Sequence, residues 1–222
     1  MSVEYINDYG YIVETERAVY VFDYVDGRLP SVYFRSNKPL LFFVSNKHQS
    51  HFSDSVFNYG KTVIFSYDIA LAPYSKAFKM KSDDMIHLGF AKVLAIKNPK
   101  GGLCFVVKEP DRQIFFGSDL NLYQVTGQSD STPAYEKEIF FNTIQSIKKQ
   151  GPFDIAILEV NDKLEEKYME GPKYFLNHCE VSHLFPTHFG ELDEFETYIK
   201  EETKTTLHVP KFTNHKFKVS HV

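Results

Sequence analysis

The stretch "LLFFVSNKHQSHFSD", Leu40 to Asp54, sets the reading of the whole chain. It opens with five apolar residues, Leu40 to Val44, a run suited to a buried strand. It then turns polar, with His48 and His51 three positions apart. Side chains at a strand end are held where the sheet puts them, so polar groups from several strand ends can converge on one edge. Two further stretches have the same form, "QIFFGSDLN" (Gln113 to Asn121) and "SHLFPTHFG" (Ser182 to Gly190). The expectation is that His48, His51, Asp119 and His188 meet at one sheet edge, where imidazole and carboxylate suit zinc, manganese or iron. A plainer account stands beside it. His48 and His51 would sit on an exposed turn, Asp119 would cap the turn in "SDLN", and His188 would be a satisfied histidine after a strand. On spacing alone the plainer account is favoured.

Outward from this stretch, the first half is built of short β-branched and aromatic runs: "YIVET", "AVYVFDY", "KTVIFS", "KVLAIK", "LCFVVKE" and "RQIFFGS". The turn signals "VDGRLP", "NPKGG" and "EPDRQ" separate them, which predicts hairpins and meanders. The second half changes period. In "TPAYEKEIFFNTIQSIKK", Phe140, Thr143, Ile144 and Ile147 recur at helical spacing, with Pro133 suited to the first turn after Thr132. A buried strand "FDIAILEV" follows, then "DKLEEKYMEGPKYFLNH", read as helical with a break near Gly171 and Pro172. A strand "VSHLFP" and a helix "ELDEFETYIKEE" come next, and the tail "HVPKFTNHKFKVSHV" reads as a final edge strand with no function assigned.

With 222 residues, 43% of them apolar and 24% charged, the chain is expected to form a single domain over residues 1–222. A net charge of −4 and a pI near 6.1 give no broad attraction to phosphate backbones, so the expected partner is a small-molecule substrate or ligand and not nucleic acid. The opening "MSVEYINDYG" has no secretory character and the longest apolar runs are too short to span a bilayer, so no membrane association and a cytoplasmic location are expected. Cys104 and Cys179 lack metal or redox spacing and read as free thiols, Cys104 as a small core residue. Oligomeric state is not legible.

Taken in order, "SNKHQSH", "FFGSDLN", "DIAILEVNDKLEEKYMEGPKYF" and "FPTHFGE" resemble the metallo-β-lactamase superfamily, in particular its small bacterial metal-dependent hydrolases, from about Gly10 to Phe189. The resemblance implies an α+β fold, a four-layer αββα sandwich of two mixed β-sheets packed face to face with helices outside. The family signature H-x-H-x-D-H, laid on this chain, puts its first histidine on Asn46, its second on His48, its aspartate on Ser50 and its last histidine on His51. The middle histidine falls near Asn98, the bridging aspartate on Asp119 and the final histidine on His188. Three ligand positions are therefore degenerate: Asn46, Ser50 and Asn98. An amide oxygen is a weaker zinc ligand than imidazole, so the resemblance implies one divalent metal at most, zinc before manganese or iron, or none. The ligands implied are His48, His51, Asp119 and His188, with Asp119 also catalytic in orienting an attacking water. The implied activity is hydrolysis of a small ester, lactone, amide or phosphoester. The alternative is a catalytically inactive relative that keeps the fold to bind a ligand or partner. Relatives that cut RNA carry a second domain for which this chain has no room. Asp162 and Lys163 match a family stretch near the site mouth, against a plain reading as a helix start. His178 and His183 read as supporting groups or as ordinary packed histidines.

Overall fold

The computed structural model describes residues 1–7, 9–70, 74–122 and 134–220. Its first sheet takes β1 (Ser2–Tyr5), β2 (Tyr11–Glu14), β3 (Val19–Phe22), β4 (Leu40–Val44), β5 (Thr62–Ser66) and β6 (Ala77–Met80), with the short helix α1 (Ser31–Arg35) between β3 and β4. The second takes β7 (Met85–His87), β8 (Lys92–Lys97), β9 (Leu103–Glu109), β10 (Arg112–Phe116), β11 (Phe153–Glu159), β12 (Val181–Thr187) and β13 (Thr206–Leu207). Helices α2 (Ala134–Lys148), α3 (Glu170–His178) and α4 (Asp193–Glu202) alternate with its last strands, and β14 (Lys216–Lys218) returns to the first sheet. The strand orders are β14-β1-β2-β3-β4-β5-β6 and β13-β12-β11-β10-β9-β8-β7.

Each sheet is half antiparallel and half parallel. From β3 to β6 and from β10 to β13 every neighbouring pair is parallel. This corrects the expectation of hairpins and meanders for the β3–β6 stretch. Leu40 to Val44 are all buried, as a parallel strand covered on both faces requires. An unbroken apolar run carries that information, whereas the turn residues between runs do not. Strands β1, β6, β7 and β13 have short or weakly apolar sequences and are found only by their pairing.

The two sheets close on a shared core that includes Val13, Phe22, Phe43, Phe105, Phe116 and Ile157. Phe22 and Phe116 stack across the interface at 4.8 Å, joining β3 to β10. A second cluster fixes the helices on the outside of the second sheet, where Phe140, Ile144 and Ile147 of α2, Phe175 of α3 and Phe195 and Ile199 of α4 are buried. A third sits outside the first sheet under Tyr33 of α1 and Val56 of the 3-10 turn Asp54–Tyr59. The four-layer sandwich follows. The predicted first turn at Thr132 and Pro133 lies outside the described residues. The stretch read as helical with a break is two pieces, the 3-10 turn Asp162–Lys167 and α3 from Glu170, with the break at Tyr168 and Met169; Pro172 occupies the first turn of α3, where its missing N–H costs nothing. Gly171 beside it is required by packing, because a Cβ there would meet the Asn121 side chain.

Candidate active-site cleft

The carboxyl ends of the parallel strands all point to one edge. Asp23 follows β3, Ser45 and Asn46 follow β4, Gly117 to Asp119 follow β10, Asn161 follows β11 and His188 follows β12. Asp23 (φ 43°), Ser118 (φ 50°) and His188 (φ 53°) are non-glycine residues in the left-handed region. Such residues cost about 1–3 kcal/mol each and persist where the surroundings over-determine them. Here the strand ends are pinned by Asp23 N to Phe43 O (2.9 Å) and Gly117 N to Ile157 O (2.8 Å).

His51 stands at the centre, buried, with both ring nitrogens facing carboxylates. Nδ1 is 2.6 Å from Asp23 Oδ2 and Nε2 is 2.9 Å from Asp119 Oδ1. Asp23 is fully buried and also accepts from Ser45 N (2.8 Å) and Ser45 Oγ (2.6 Å). The Ser45 hydroxyl in turn lies 2.7 Å from Ser118 Oγ. Burial by itself would lower the His51 pKa, but the Asp23 charge and the hydrogen bonds to Asp119 and Asp23 outweigh it and raise it to about 10. For Asp23 burial raises the pKa, opposed by the His51 charge and the Ser45 hydrogen bonds. With a second carboxylate on its far side, His51 is the member of the pair that keeps the proton.

The remaining expected residues divide. Asn46 accepts from His48 N (2.8 Å) and donates to Asp119 Oδ2 (3.3 Å). His48 itself is exposed, its Nδ1 2.6 Å from Ser50 Oγ and its ring 6.5 Å from that of His51. Asn98 is buried, donating to Gly117 O (3.0 Å) and accepting from Lys100 N (3.0 Å), so its amide ties two loops together. His188 reaches the edge but bonds elsewhere, with Nδ1 3.1 Å from Asn161 Nδ2 and 3.3 Å from the buried Glu159 Oε1. The Tyr9 hydroxyl lies 3.1 and 3.2 Å from the two ring nitrogens of His188. The Tyr9 ring stands against both histidines, its centroid 4.4 Å from that of His51 and 4.8 Å from that of His188.

Around these residues opens a cleft of about 890 Å³, lined among others by Tyr9, Lys47, Tyr67, Asp68, Lys100 and Asp119. Gly102 lets the facing loop approach, since a Cβ on it would collide with Ser45 O. Asp162 is turned away from chemistry: its Oδ2 accepts from Glu191 N (3.3 Å), and a Cβ at Gly190 would meet its carboxylate. Lys163 is exposed and does not line this cleft. His178 donates to Tyr174 O within α3 (2.8 Å), and His183 pairs with His208 at 3.1 Å, neither of them at the cleft. Cys104 and Cys179 are buried free thiols. Sequence reasoning missed Asp23, Tyr9 and Glu159. The signal for Asp23 was an acidic residue closing the apolar run "AVYVFD", the same form as "QIFFGSD"; no sequence signal marks Tyr9.

A metal of the family's kind needs three or four His, Asp or Cys donors aimed at one point. Among the described residues no group of three or more His, Cys, Asp and Glu side chains is arranged to hold an ion. The donor set does not fit as arranged: Asn46 offers Asp119 an N–H where an acceptor would be needed, and His188 is bonded to Asn161 and Glu159 with the Tyr9 ring packed against it.

No sequence-family model matches the chain, and no curated protein matches it significantly. Solved structures do. The metallo-β-lactamase fold protein YhfI from Bacillus subtilis superposes with a TM-score of 0.64 at 14% identity, covering 98% of this chain and 99% of that one. A structure titled a possible metal-dependent hydrolase from Veillonella parvula gives 0.63 at 8% identity, covering 98% of each chain. A mutant of the CmlA beta-hydroxylase gives 0.66 at 8% identity over 98% of this chain, which spans about half, 53%, of that protein. At these identities the likeness shows the fold: this is a metallo-β-lactamase-fold protein, built like proteins described as metal-dependent hydrolases. No helix among the described residues is long and apolar enough to cross a membrane.

Proposed function

We propose that the chain uses the cleft to bind a small polar molecule, without a metal-activated water. One observation carries this reading: both nitrogens of His51 lie at hydrogen-bond distance from carboxylates, at 2.6 and 2.9 Å, so the best-placed imidazole is engaged as an ion-pair partner. The changes at Asn46 and Asn98 agree with it, because both amides are bonded into the loops that shape the cleft. A volume of about 890 Å³ is in the range of small-molecule sites, and Lys47, Lys100, Asp68 and Asp119 offer a ligand groups of both signs. The net charge of −4 favours such a ligand over nucleic acid, and we place the protein in the cytoplasm.

A second reading is favoured by the approach of His51 Nε2 to Asp119 Oδ1, two donors that one ion would share. In that reading a single divalent ion, zinc before manganese or iron, is held by His51, Asp119 and His188, and the protein hydrolyses a small ester, lactone, amide or phosphoester. Elemental analysis of tag-free protein purified without chelators, before and after incubation with each ion, decides. Far less than one ion per chain, with no turnover of small esters and phosphoesters, is the expected result. Close to one ion per chain, lost in Asp119→Ala, overturns the metal-free reading.

A further inference from the structure

We infer that His183 and His208 form an acid-sensitive latch on the C-terminal strap of the molecule, which opens locally at mildly acid pH while the two sheets stay folded. The strap runs from β13 to Ser220, leaving the second sheet and crossing to the first. Its own ladders are short: two residues of β13 on β12 and three of β14 on β1. Side chains therefore hold much of it. His208 stacks flat on Phe185 of β12, with ring centroids 4.6 Å apart and planes 7° apart. Phe217 of β14 packs edge-on against both, 5.5 Å from Phe185 and 5.3 Å from His208. His183 ties the two ends together, its Nδ1 3.1 Å from His208 Nε2 and its Nε2 3.3 Å from Ser220 O.

The carbonyl fixes the hydrogen-bond directions. Ser220 O only accepts, so His183 Nε2 carries the proton, Nδ1 is bare, and His208 Nε2–H donates to it. The latch is built for two neutral imidazoles. A proton added to His183 Nδ1 sets N–H against N–H across 3.1 Å, and one added to His208 charges a ring half-buried against Phe185. In agreement, burial holds His183 below the usual imidazole value, against the Ser220 carbonyl and the Asp154 charge, and burial, then His183, lowers His208 to about 4. Of the packed elements, β11 contributes Asp154, β13 contributes nothing titratable, and β1 and β2 contribute the phenols of Tyr5 and Tyr11. On β14, Lys216 reaches Glu14 and Tyr33, Lys218 alternates to the same side, and His215 before it packs on Phe217 at 4.2 Å. Both shifts are downward, so the closed strap is favoured above pH 6.5 and loses that advantage as pH falls toward 4. For His208 alone, 6.5 when released against about 4 when latched raises the opening constant about 25-fold between about pH 7.5 and about pH 5. His183 adds in the same direction. Opening uncovers Phe185 and bares the edge of β1, a strand edge able to pair with another chain.

The test is amide hydrogen exchange of the intact protein at those two pH values, corrected for intrinsic rates. The amides of His208, Asn214, Val219 and Tyr5, bonded to the carbonyls of Leu184, Tyr5, Met1 and His215, report the strap. They are expected to lose protection by about 25-fold or more, while amides of β4 and β9 keep theirs. In His183→Gln/His208→Gln, which cannot titrate, strap protection is expected to be the same at both pH values. Near-UV circular dichroism establishes that the variant is folded, and His208→Gln takes its place if it is not, with the loss reduced about 25-fold. A wild-type loss below about 3-fold overturns the inference. Equal loss throughout the chain overturns it as well, because that is global unfolding, and so does a loss that persists undiminished in the folded variant.

Discussion

Replacing Asp23 by Asn tests the buried ion pair with the least disturbance to shape. Asn tolerates the left-handed backbone at this position (φ 43°), and its amide oxygen can still accept from Ser45 N. What changes is the edge toward His51. An NH₂ or a neutral oxygen replaces a carboxylate 2.6 Å from Nδ1, in a site with no solvent access to Asp23. Removing one member of a buried pair costs about 3–5 kcal/mol, and His51 can relieve part of this by giving up its proton, so the lower end, about 3 kcal/mol, is expected. For a chain of this length that corresponds to a fall in melting temperature of about 6–12 °C. The sign with pH follows from the raised pKa. The stabilisation from protonated His51 is full below the unfolded value of 6.5 and is lost as pH rises toward about 10. Wild-type stability is therefore expected to decline across that window, and Asp23→Asn to flatten the decline. Urea unfolding at several pH values, with the His51 ring followed by NMR, measures both. A loss below about 1 kcal/mol together with an unchanged His51 titration would refute the account of the pair.

Two more outcomes are expected. His208 stacks on Phe185 at 4.6 Å with its Nε2 3.1 Å from His183, and burial, then the neighbouring His183, lowers its pKa to about 4. Its contribution to stability is full above pH 6.5 and lost as pH falls toward 4, so the drop in urea midpoint between neutral and mildly acid pH should shrink in His208→Gln. Gly102→Ala, at φ 71°, drives a Cβ into Ser45 O and should cost about 1–3 kcal/mol by denaturant unfolding.

The elements with one strong period were legible: the unbroken run Leu40 to Val44, the helical spacing of Phe140, Ile144 and Ile147, the apolar stretch of β11. Their order in the sheets was not, because whether β4 lies parallel or antiparallel to β3 depends on the path of the connection and not on its turn residues. At the site the same division holds. His51, Asp119 and His188 were legible as polar residues ending apolar runs, and all three do reach the edge. Which way each side chain turns was beyond the pattern. His48 and His51 look equivalent three residues apart, yet the chain reverses between them, with His51 N bonded to His48 O at 2.9 Å, so one ring faces solvent and the other the core. Asp23 acquires its meaning only when parallel pairing of β3 with β4 brings it beside Ser45, and Tyr9 only when the two sheets close.

The pairing of Val3 with Phe217 sets a delay into the making of this molecule. While the chain emerges from the ribosome, β1 waits with an open edge until nearly all of the intervening sequence has been translated. Open edges invite the strands of other chains, and late-closing contacts lengthen the exposure. In the finished protein Glu4 is buried beside that edge, accepting from the Tyr33 hydroxyl at 2.7 Å. In the nascent chain the same residue puts a carboxylate in the middle of the waiting strand, and a charge on an open edge disfavours pairing with the strands of other chains.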